Sequence, residues 1–315
     1  MLEVAPQFDP PYFTSDTFDR AAALRTDQAR IETLLTAPEA RFIALWRRKY
    51  LTYVESGPDR VVRIARLDLR DLGMGIASLL DHYTVLLGFD GGHPLFGIDL
   101  SPLDGLPPSL LSGNRTLVEF RPYEFLLSAD DAAFTAQFHA MANWRAANRF
   151  CGRCGAPSEP DEAGYRLLCI NGHMQFPRTD PVTVILICHG EHALLARGTT
   201  FPNKRLFSAL SGFVEAGETA EQTAKREAFE EVGVRARALR YHSSQPWPFP
   251  GLIMMGFFLE TTTTDLTLDV EEIAEARWFT RDEIARHEAL GFDPPSPNML
   301  AGRLLQHWVG HGTGL

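Results

Sequence analysis

Cysteine is scarce in this chain: there are four in 315 residues, at positions 151, 154, 169 and 188. A chain this long with so few thiols is not built on a disulfide scaffold. Long apolar runs are missing too. The longest, such as Val182 to Cys188, are strand-sized and too short to span a bilayer. The first 20 residues have no basic start leading into an apolar stretch, so no secretion signal is expected and cytoplasm is the expected compartment. Cations are in deficit, 30 Lys and Arg against 40 Asp and Glu, for a net charge of -10. That excludes a global attraction for nucleic acid while leaving room for a local basic groove. Internal repeats and low-complexity tracts are absent. What remains is an ordinary globular composition, with 45% hydrophobic residues and length for two or three domains.

Three of the four thiols crowd together. Cys151-Gly-Arg-Cys154 is a tight knuckle, and Cys169 follows after 14 residues. A fourth cysteine three positions later would complete a zinc ribbon of tetrahedral ligands. Here Ile170, Asn171, Gly172 and His173 follow instead. Two readings stand. His173 completes a Cys3His zinc site, or the knuckle has lost its metal and its thiols pack as small hydrophobes. Either role is structural, since four protein ligands leave no open position. Cys188 lies in an apolar strand and reads as core.

The densest pattern runs from Gly212 to Val234, GFVEAGETAEQTAKREAFEEVGV. Gly212, Glu218, Arg226, Glu227, Glu230, Glu231, Gly233 and Val234 fit G-x5-E-x7-R-E-U-x-E-E-x-G-U, where U is a bulky aliphatic residue. The first U is Ala228, small rather than bulky. On a helix, residues three and four apart share a face, so Glu227, Glu230 and Glu231 project together. Packed carboxylates repel unless a cation sits among them, and oxygen ligands at this density suit Mg2+ or Mn2+. Such a metal neutralises a diphosphate and lowers the pKa of a bound water. Arg226 can pair with Glu218 or Glu215. Gly212 and Gly217 allow a turn before the helix, Gly233 allows a stop after it, and Thr219 is an N-cap.

Around this helix the pattern is α/β. Strands are expected at Arg41–Trp46, Tyr83–Phe89, His93–Leu100, Leu117–Phe120, Val182–Ile187, Ala193–Arg197, Val234–Tyr241, Leu252–Thr261 and Ala276–Phe279. Helices are expected at Ala132–Arg149, Arg281–Ala289 and Met299–Trp308. The start of the chain is proline-rich and irregular. Four regions follow: an N-terminal α+β domain over 1–130, a linker helix over 131–150, a zinc-ribbon-like module over 151–176 and a catalytic domain over 177–315. In the last, a mixed sheet sandwiched between helices accommodates the element order.

A second motif, Ser244-Gln245-Pro246-Trp247-Pro248-Phe249-Pro250, holds two aromatics between three prolines. Rigid aromatics suit flat rings such as adenine or nicotinamide, and Gln245 can hydrogen-bond an amide or ribose. The competing reading is a proline-stiffened surface loop with buried aromatics.

The Gly212–Val234 pattern is the Nudix box. Together with the cysteine knuckle before it and SQPWPFP after it, the chain resembles the NADH pyrophosphatases, or NAD-capped RNA hydrolases, of the Nudix superfamily. The likeness extends to HPLFGIDL at 93–100, FPRTDP at 176–181, EIAEARWF at 272–279 and the helix of Met299, Leu300 and Ala301. The resemblance implies a Nudix fold, α+β, behind a zinc-ribbon-like knuckle and a small Nudix-like N-terminal domain. It implies that Glu227, Glu230, Glu231 and Glu272 hold Mg2+ or Mn2+, with Glu231 foremost in metal binding and water activation. Cys151, Cys154, Cys169 and His173 would hold structural Zn2+. Phe176 stands where the family usually has a substrate-contacting Tyr. Ser211 and Ala301 match backbone contacts in the nucleotide pocket. Gln245, Pro246, Trp247, Pro248, Phe249, Pro250, Gly251 and Leu252 match the substrate loop, with Leu252 replacing a Ser. The family is homodimeric, with its pocket at the subunit interface. The implied activity is cleavage of NAD(H) to NMN(H) and AMP and removal of NAD caps from RNA, with no membrane partner. Two alternatives remain at this point. One is a broad dinucleotide or ADP-ribose hydrolase. The other is a catalytically dead nucleotide- or RNA-binding protein.

Overall fold

The computed structural model describes residues 11–17, 19–55, 61–73, 83–123 and 126–315. The irregular start expected for the chain falls largely on 1–10, outside the described residues. Helix α1 (Gln28–Leu35) precedes β1 (Arg41–Trp46), β2 (Lys49–Glu55), β3 (Val61–Ile64), β4 (Thr84–Asp90), β5 (His93–Asp99) and β6 (Arg115–Glu119). Helix α2 (Ala129–Ala147) leads to the short strands β7 (Ser158–Asp161), β8 (Arg166–Cys169) and β9 (Met174–Gln175). Strands β10 (Asp180–His189), β11 (His192–Gly198) and β12 (Leu210–Phe213) lead to helix α3 (Ala220–Val232). The chain closes with β13 (Ala238–Trp247), β14 (Leu252–Glu260), β15 (Ile273–Thr280) and helix α4 (Leu300–His311).

By contacts the chain divides into two compact units, one of 1–12, 179–247 and 252–315, the other of 13–178 and 248–251. The C-terminal unit holds a six-stranded sheet of order β13-β14-β10-β11-β15, with β12 added on β10. β10 and β14 run parallel, and the remaining pairs are antiparallel. Side chains alternate across the sheet. Ile185, Ile187, Phe257 and Leu259 join Ala224, Ala228 and Val232 of α3 in one core. Val184, Leu186, Cys188 and Phe258 join Leu300, Leu304, Leu305 and Trp308 of α4 in a second. This is the expected sandwich, and Cys188 is core.

The other unit holds a second six-stranded sheet, β3-β2-β1-β5-β4, with β6 on β2. Phe42, Ala44, Leu86, Phe96 and Ile98 pack with the α1 residues Ile31, Leu34 and Leu35. On α2, Phe134, Phe138, Met141 and Trp144 are all buried, as their spacing predicts. Phe138 lies so near Gly97 that an added Cβ would meet its ring at 2.3 Å. A three-stranded sheet, β7-β8-β9, carries the cysteine knuckle.

Two of the expected elements differ most from expectation. The strand expected to end at Tyr241 begins at Ala238 and continues to Trp247, with Gln245 opposite Met254 and Pro246 opposite Ile253. β13 is an edge strand, and an edge tolerates a proline that donates no ladder bond. The helix expected over Arg281–Ala289 is two short pieces, Arg281–Ala285 and His287–Leu290, broken at Arg286.

Candidate active site

The box helix α3 has an explicit beginning and end. The Thr219 hydroxyl accepts from the Gln222 N–H, and the Gln222 side chain accepts from the Thr219 N–H, a reciprocal cap. At the other end Gly233 is left-handed with φ 73°, and its N–H donates to the Phe229 carbonyl. Ala224, Ala228 and Val232 form the stripe that meets the sheet, and all are fully buried. A methyl group therefore suffices at Ala228, where the box pattern has a bulky residue.

Gly212 differs from its expected role. It sits inside β12, opposite Thr183, with no turn conformation to supply. Its service is space, because a Cβ there would lie 1.9 Å from the Glu227 carboxyl carbon. Gly217, at φ +95°, is the turn glycine.

Arg226 organises the box. Its guanidinium bonds Glu218 at 2.8 Å, Glu227 at 2.7 Å and Glu230 at 2.9 Å, and donates to the Phe213 carbonyl at 3.0 Å. The bond from Arg226 holds Glu218 down at about 2. Glu227 is buried, and burial raises its pKa despite Arg226. Glu230 is exposed. Glu231 is 6% exposed, and no ion pair among the described residues includes it. Burial, then the fields of Glu227, Glu272, Asp269 and Glu230, push it up to about 8. This carboxyl stands in a field that calls for a positive charge, and a divalent cation would reverse the shift. The donor set is all oxygen, which fits Mg2+ or Mn2+.

Asp269 is absent from the candidates read in the sequence. It reaches the site because the segment before β15 is tied to the end of α3. The Thr267 and Asp269 N–H groups donate to the carbonyls of Val232 and Glu231, each at 3.0 Å. Glu272 is fixed in the same segment, its carbonyl accepting from the Thr199 N–H at 2.8 Å. Asp269 belongs to no motif, so only the fold reveals it.

The cysteine knuckle is a formed quartet. The ligand atoms of Cys151, Cys154, Cys169 and His173 all lie within 4.8 Å of one another, the one such cluster among the described residues. His173 Nδ1 is 3.5 Å from Cys151 Sγ and 3.3 Å from Cys154 Sγ, and Cys154 Sγ is 3.8 Å from Cys169 Sγ. Zinc bonds of about 2.3 Å to sulfur and about 2.0 Å to nitrogen give tetrahedral edges of roughly 3.5–3.8 Å. The quartet therefore fits zinc, with His173 in the fourth position. Asn171 donates to Cys154 Sγ at 3.3 Å, and this bond leads the causes that draw that thiol down to about 6. Metal-ready thiolates need such outer partners.

The second motif divides between the two units. Gln245 and Trp247 are buried in β13, while Pro248–Gly251 belongs to the unit of 13–178. There the Phe249 ring lies 5.1 Å from Phe120 and 5.3 Å from His139. The Gln245 amide donates to the carbonyls of Asn298 at 2.8 Å and Tyr12 at 3.2 Å. Its buried Oε1 has no hydrogen-bond partner among the described residues. Ser211 is exposed opposite Val184, Leu252 is half-buried opposite Trp247, and Ala301 is buried in α4. Phe176 is exposed, in the same unit as the quartet.

A mixed sheet between two helices, one bearing a capped row of carboxylates, defines the Nudix class. Residues 177–301 match the family model for the NUDIX domain. Residues 146–176 match the NADH pyrophosphatase zinc ribbon domain, and 39–144 match the NADH pyrophosphatase-like rudimentary NUDIX domain. The chain belongs to that branch of the Nudix superfamily. It is 41% identical over 177 residues to NAD-capped RNA hydrolase NudC of Mycobacterium bovis, covering 55% of this chain and 56% of that protein. It is 34% identical over 198 residues to human NAD-capped RNA hydrolase NUDT12, covering 58% of this chain and 43% of that protein. It is 37% identical over 174 residues to human mitochondrial NAD(P)H pyrophosphatase NUDT13, covering 54% and 49%. The matches thus span about half the length of these relatives.

Proposed function

We propose that this chain hydrolyses the diphosphate of NAD(H), releasing NMN(H) and AMP, and removes NAD from the 5′ end of RNA. The observation that carries the reading is Glu231, a buried carboxylate outside every ion pair among the described residues, in the field of Glu227, Glu230, Asp269 and Glu272. Mg2+ or Mn2+ held by Glu227, Glu230, Glu231 and Glu272 would neutralise the diphosphate and acidify a bound water. Arg226 orients Glu227 and Glu230. Glu231, which a bound cation would keep ionised, would take the proton of the attacking water. Water oxygen bonds to phosphorus as the bridging P–O bond breaks. The Oε1 of Gln245, without a partner among the described residues, offers an acceptor to a ligand N–H or O–H. Pro246, Pro248 and Pro250 stiffen the substrate segment and hold Trp247 and Phe249 for substrate, and Phe176, Ser211 and Ala301 are the other substrate contacts in this reading. The names of the relatives support the substrate.

Zinc on the quartet would be structural. Among the described residues no helix is long and apolar enough to cross a membrane. A cytoplasmic homodimer completes the reading, and light scattering of the purified protein checks the dimer. A broader dinucleotide hydrolase is the second reading, favoured by Leu252 in place of Ser. Cleavage rates for NADH, NAD+, ADP-ribose and NAD-capped RNA separate the two, and NADH cut no faster than ADP-ribose would sink the first. Glu231→Gln should lower kcat by about a thousandfold. Full activity in that variant would remove Glu231 from the chemistry. A wild type that binds but never cleaves would instead favour the binding protein.

A further inference from the structure

The turn between β1 and β2 is made of residues ill suited to its shape. Leu45 pairs with Tyr50 and Trp46 with Lys49, so Arg47 and Arg48 are its two central residues. Both are left-handed, at φ 48° and 68°. Two-residue turns of this kind favour Asn-Gly, because a side chain in this region costs about 1–2 kcal/mol. Neither side chain enters the core, since both are exposed. Strain at an exposed basic tip points to what the tip binds.

The surroundings agree. The Arg47 N–H donates to Ser101 Oγ at 2.8 Å, and its guanidinium reaches the Asp104 carbonyl at 3.2 Å and lies 4.7 Å from the Trp46 ring centre. The turn is thus held in place without engaging a carboxylate. Among the described residues no ion pair includes Arg47, Arg48 or Lys49, although Glu119 stands opposite Lys49. Arg121, in the same unit, lies 4.5 Å over the Phe249 ring. Burial first, and then the fields of Arg48 and Arg121, hold His139 at about 4. This happens in a chain of net charge -10.

We infer that the Trp46–Lys49 turn binds the phosphodiester backbone of single-stranded RNA. The inference rests on the NAD-capped RNA reading above. Guanidinium forks match phosphate oxygens, and the flat Trp46–Arg47 pair suits stacking on a base. A bilayer is a poorer occupant, because the exposed tip is the Arg47–Arg48 pair, while Trp46 is half-buried with its indole N–H donating to the Leu103 carbonyl.

The test is fluorescence anisotropy with an uncapped RNA oligomer between about 50 and 200 mM salt. Wild type should bind with a steep salt dependence. Arg47→Asn/Arg48→Gly installs the favoured turn pair and should melt no lower than wild type. It should bind at least several-fold more weakly, with the log–log salt slope shallower by about 1.4, or roughly 0.7 for each phosphate no longer neutralised. Arg48→Gln, a milder change, should flatten the slope by about half as much. The inference is overturned if wild type does not bind RNA, if the slopes are unchanged, or if only anionic phospholipid vesicles respond to the substitutions. Wild-type NADH cleavage is measured alongside. Turn-dependent RNA binding without cleavage would overturn the hydrolase reading and leave this site standing. Cleavage with turn-independent binding would do the reverse.

Discussion

In the N-terminal sheet, β1 pairs antiparallel with β2 and parallel with β5, and β5 pairs antiparallel with β4. In the C-terminal sheet, β10 does the same with β11 and β14, and β14 with β13. The inner strand of each hairpin, β5 or β14, carries a glycine where a helix side chain descends. Gly97 lies beneath Phe138, and Gly256 lies beneath Leu300. Each hairpin also has a register shift, between Leu86 and Gly88 in one and between Tyr241 and Ser243 in the other. The difference lies in the crossover. Between β12 and β13 the C-terminal sheet has α3 with its glutamates. Between β3 and β4 the sequence 65–83 contains no glutamate at all. Its Asp68 and Asp71 cap a short helix, and Asp71 also pairs with Arg115 at 2.9 Å. The same strand plan can therefore carry a row of glutamates or lack one, according to one crossover.

That comparison can be broken at several points. Chelating zinc should act most strongly, since metal supplies about 10 kcal/mol or more to small zinc modules. The ribbon of β7 to β9 should lose protection in hydrogen exchange while α3 keeps its own. Equal loss in α3 would mean that the two sheets do not behave as separate units.

Gly97→Ala should destabilise by about 3 kcal/mol, because the added Cβ would lie 2.3 Å from the ring of the buried Phe138. Gly256→Ala should cost about 1 kcal/mol, since its nearest neighbour, Leu300 Cδ1, is 3.1 Å away and flexible. Denaturant melts check both, and a reversed order would refute the equivalence of the two glycines. Gly212→Ala should spare the fold more than the rate. It displaces the Glu227 carboxylate, and kcat should fall by about a hundredfold, or roughly 2.7 kcal/mol.

The smallest effect is a pH dependence. The Glu231 pKa of about 8 in the folded chain lies above its ordinary value of 4.5. Between those limits the folded state holds a proton that the unfolded state has released, so this group's contribution to stability falls as pH rises. Mg2+ binds the deprotonated form, so its effect on Tm should grow from about pH 6.5 to about pH 8. Comparing wild type with Glu231→Gln isolates this group, and identical Mg2+ profiles would contradict the assignment.

Much of the site is legible along the chain because its parts are local. Glu227, Glu230 and Glu231 share a helix face by spacing alone, and Thr219 and Gly233 mark its ends through short-range hydrogen bonds. Strands such as Arg41–Trp46 show in their apolar runs. The 244–247 stretch is harder, because prolines argue against a strand unless its place at a sheet edge is known. Asp269 is not visible in the sequence, because it acts on Glu231 through a loop closed by backbone bonds. The strain at Arg47 and Arg48 is hidden as well, since it depends on the register of β1 with β2.

By itself the sequence determined which groups carry charge and how they repeat along one helix, because a helix converts spacing directly into direction. It also determined the three thiols of the knuckle. Tertiary structure decided that His173 joins them, that Gly212 makes room for Glu227, and that Arg226 holds Glu218, Glu227 and Glu230 but leaves Glu231 outside its reach. The first two outcomes depend on distances between residues well separated in the chain, which packing rather than spacing sets, and the third on how the Arg226 guanidinium is turned toward Glu218 and the Phe213 carbonyl.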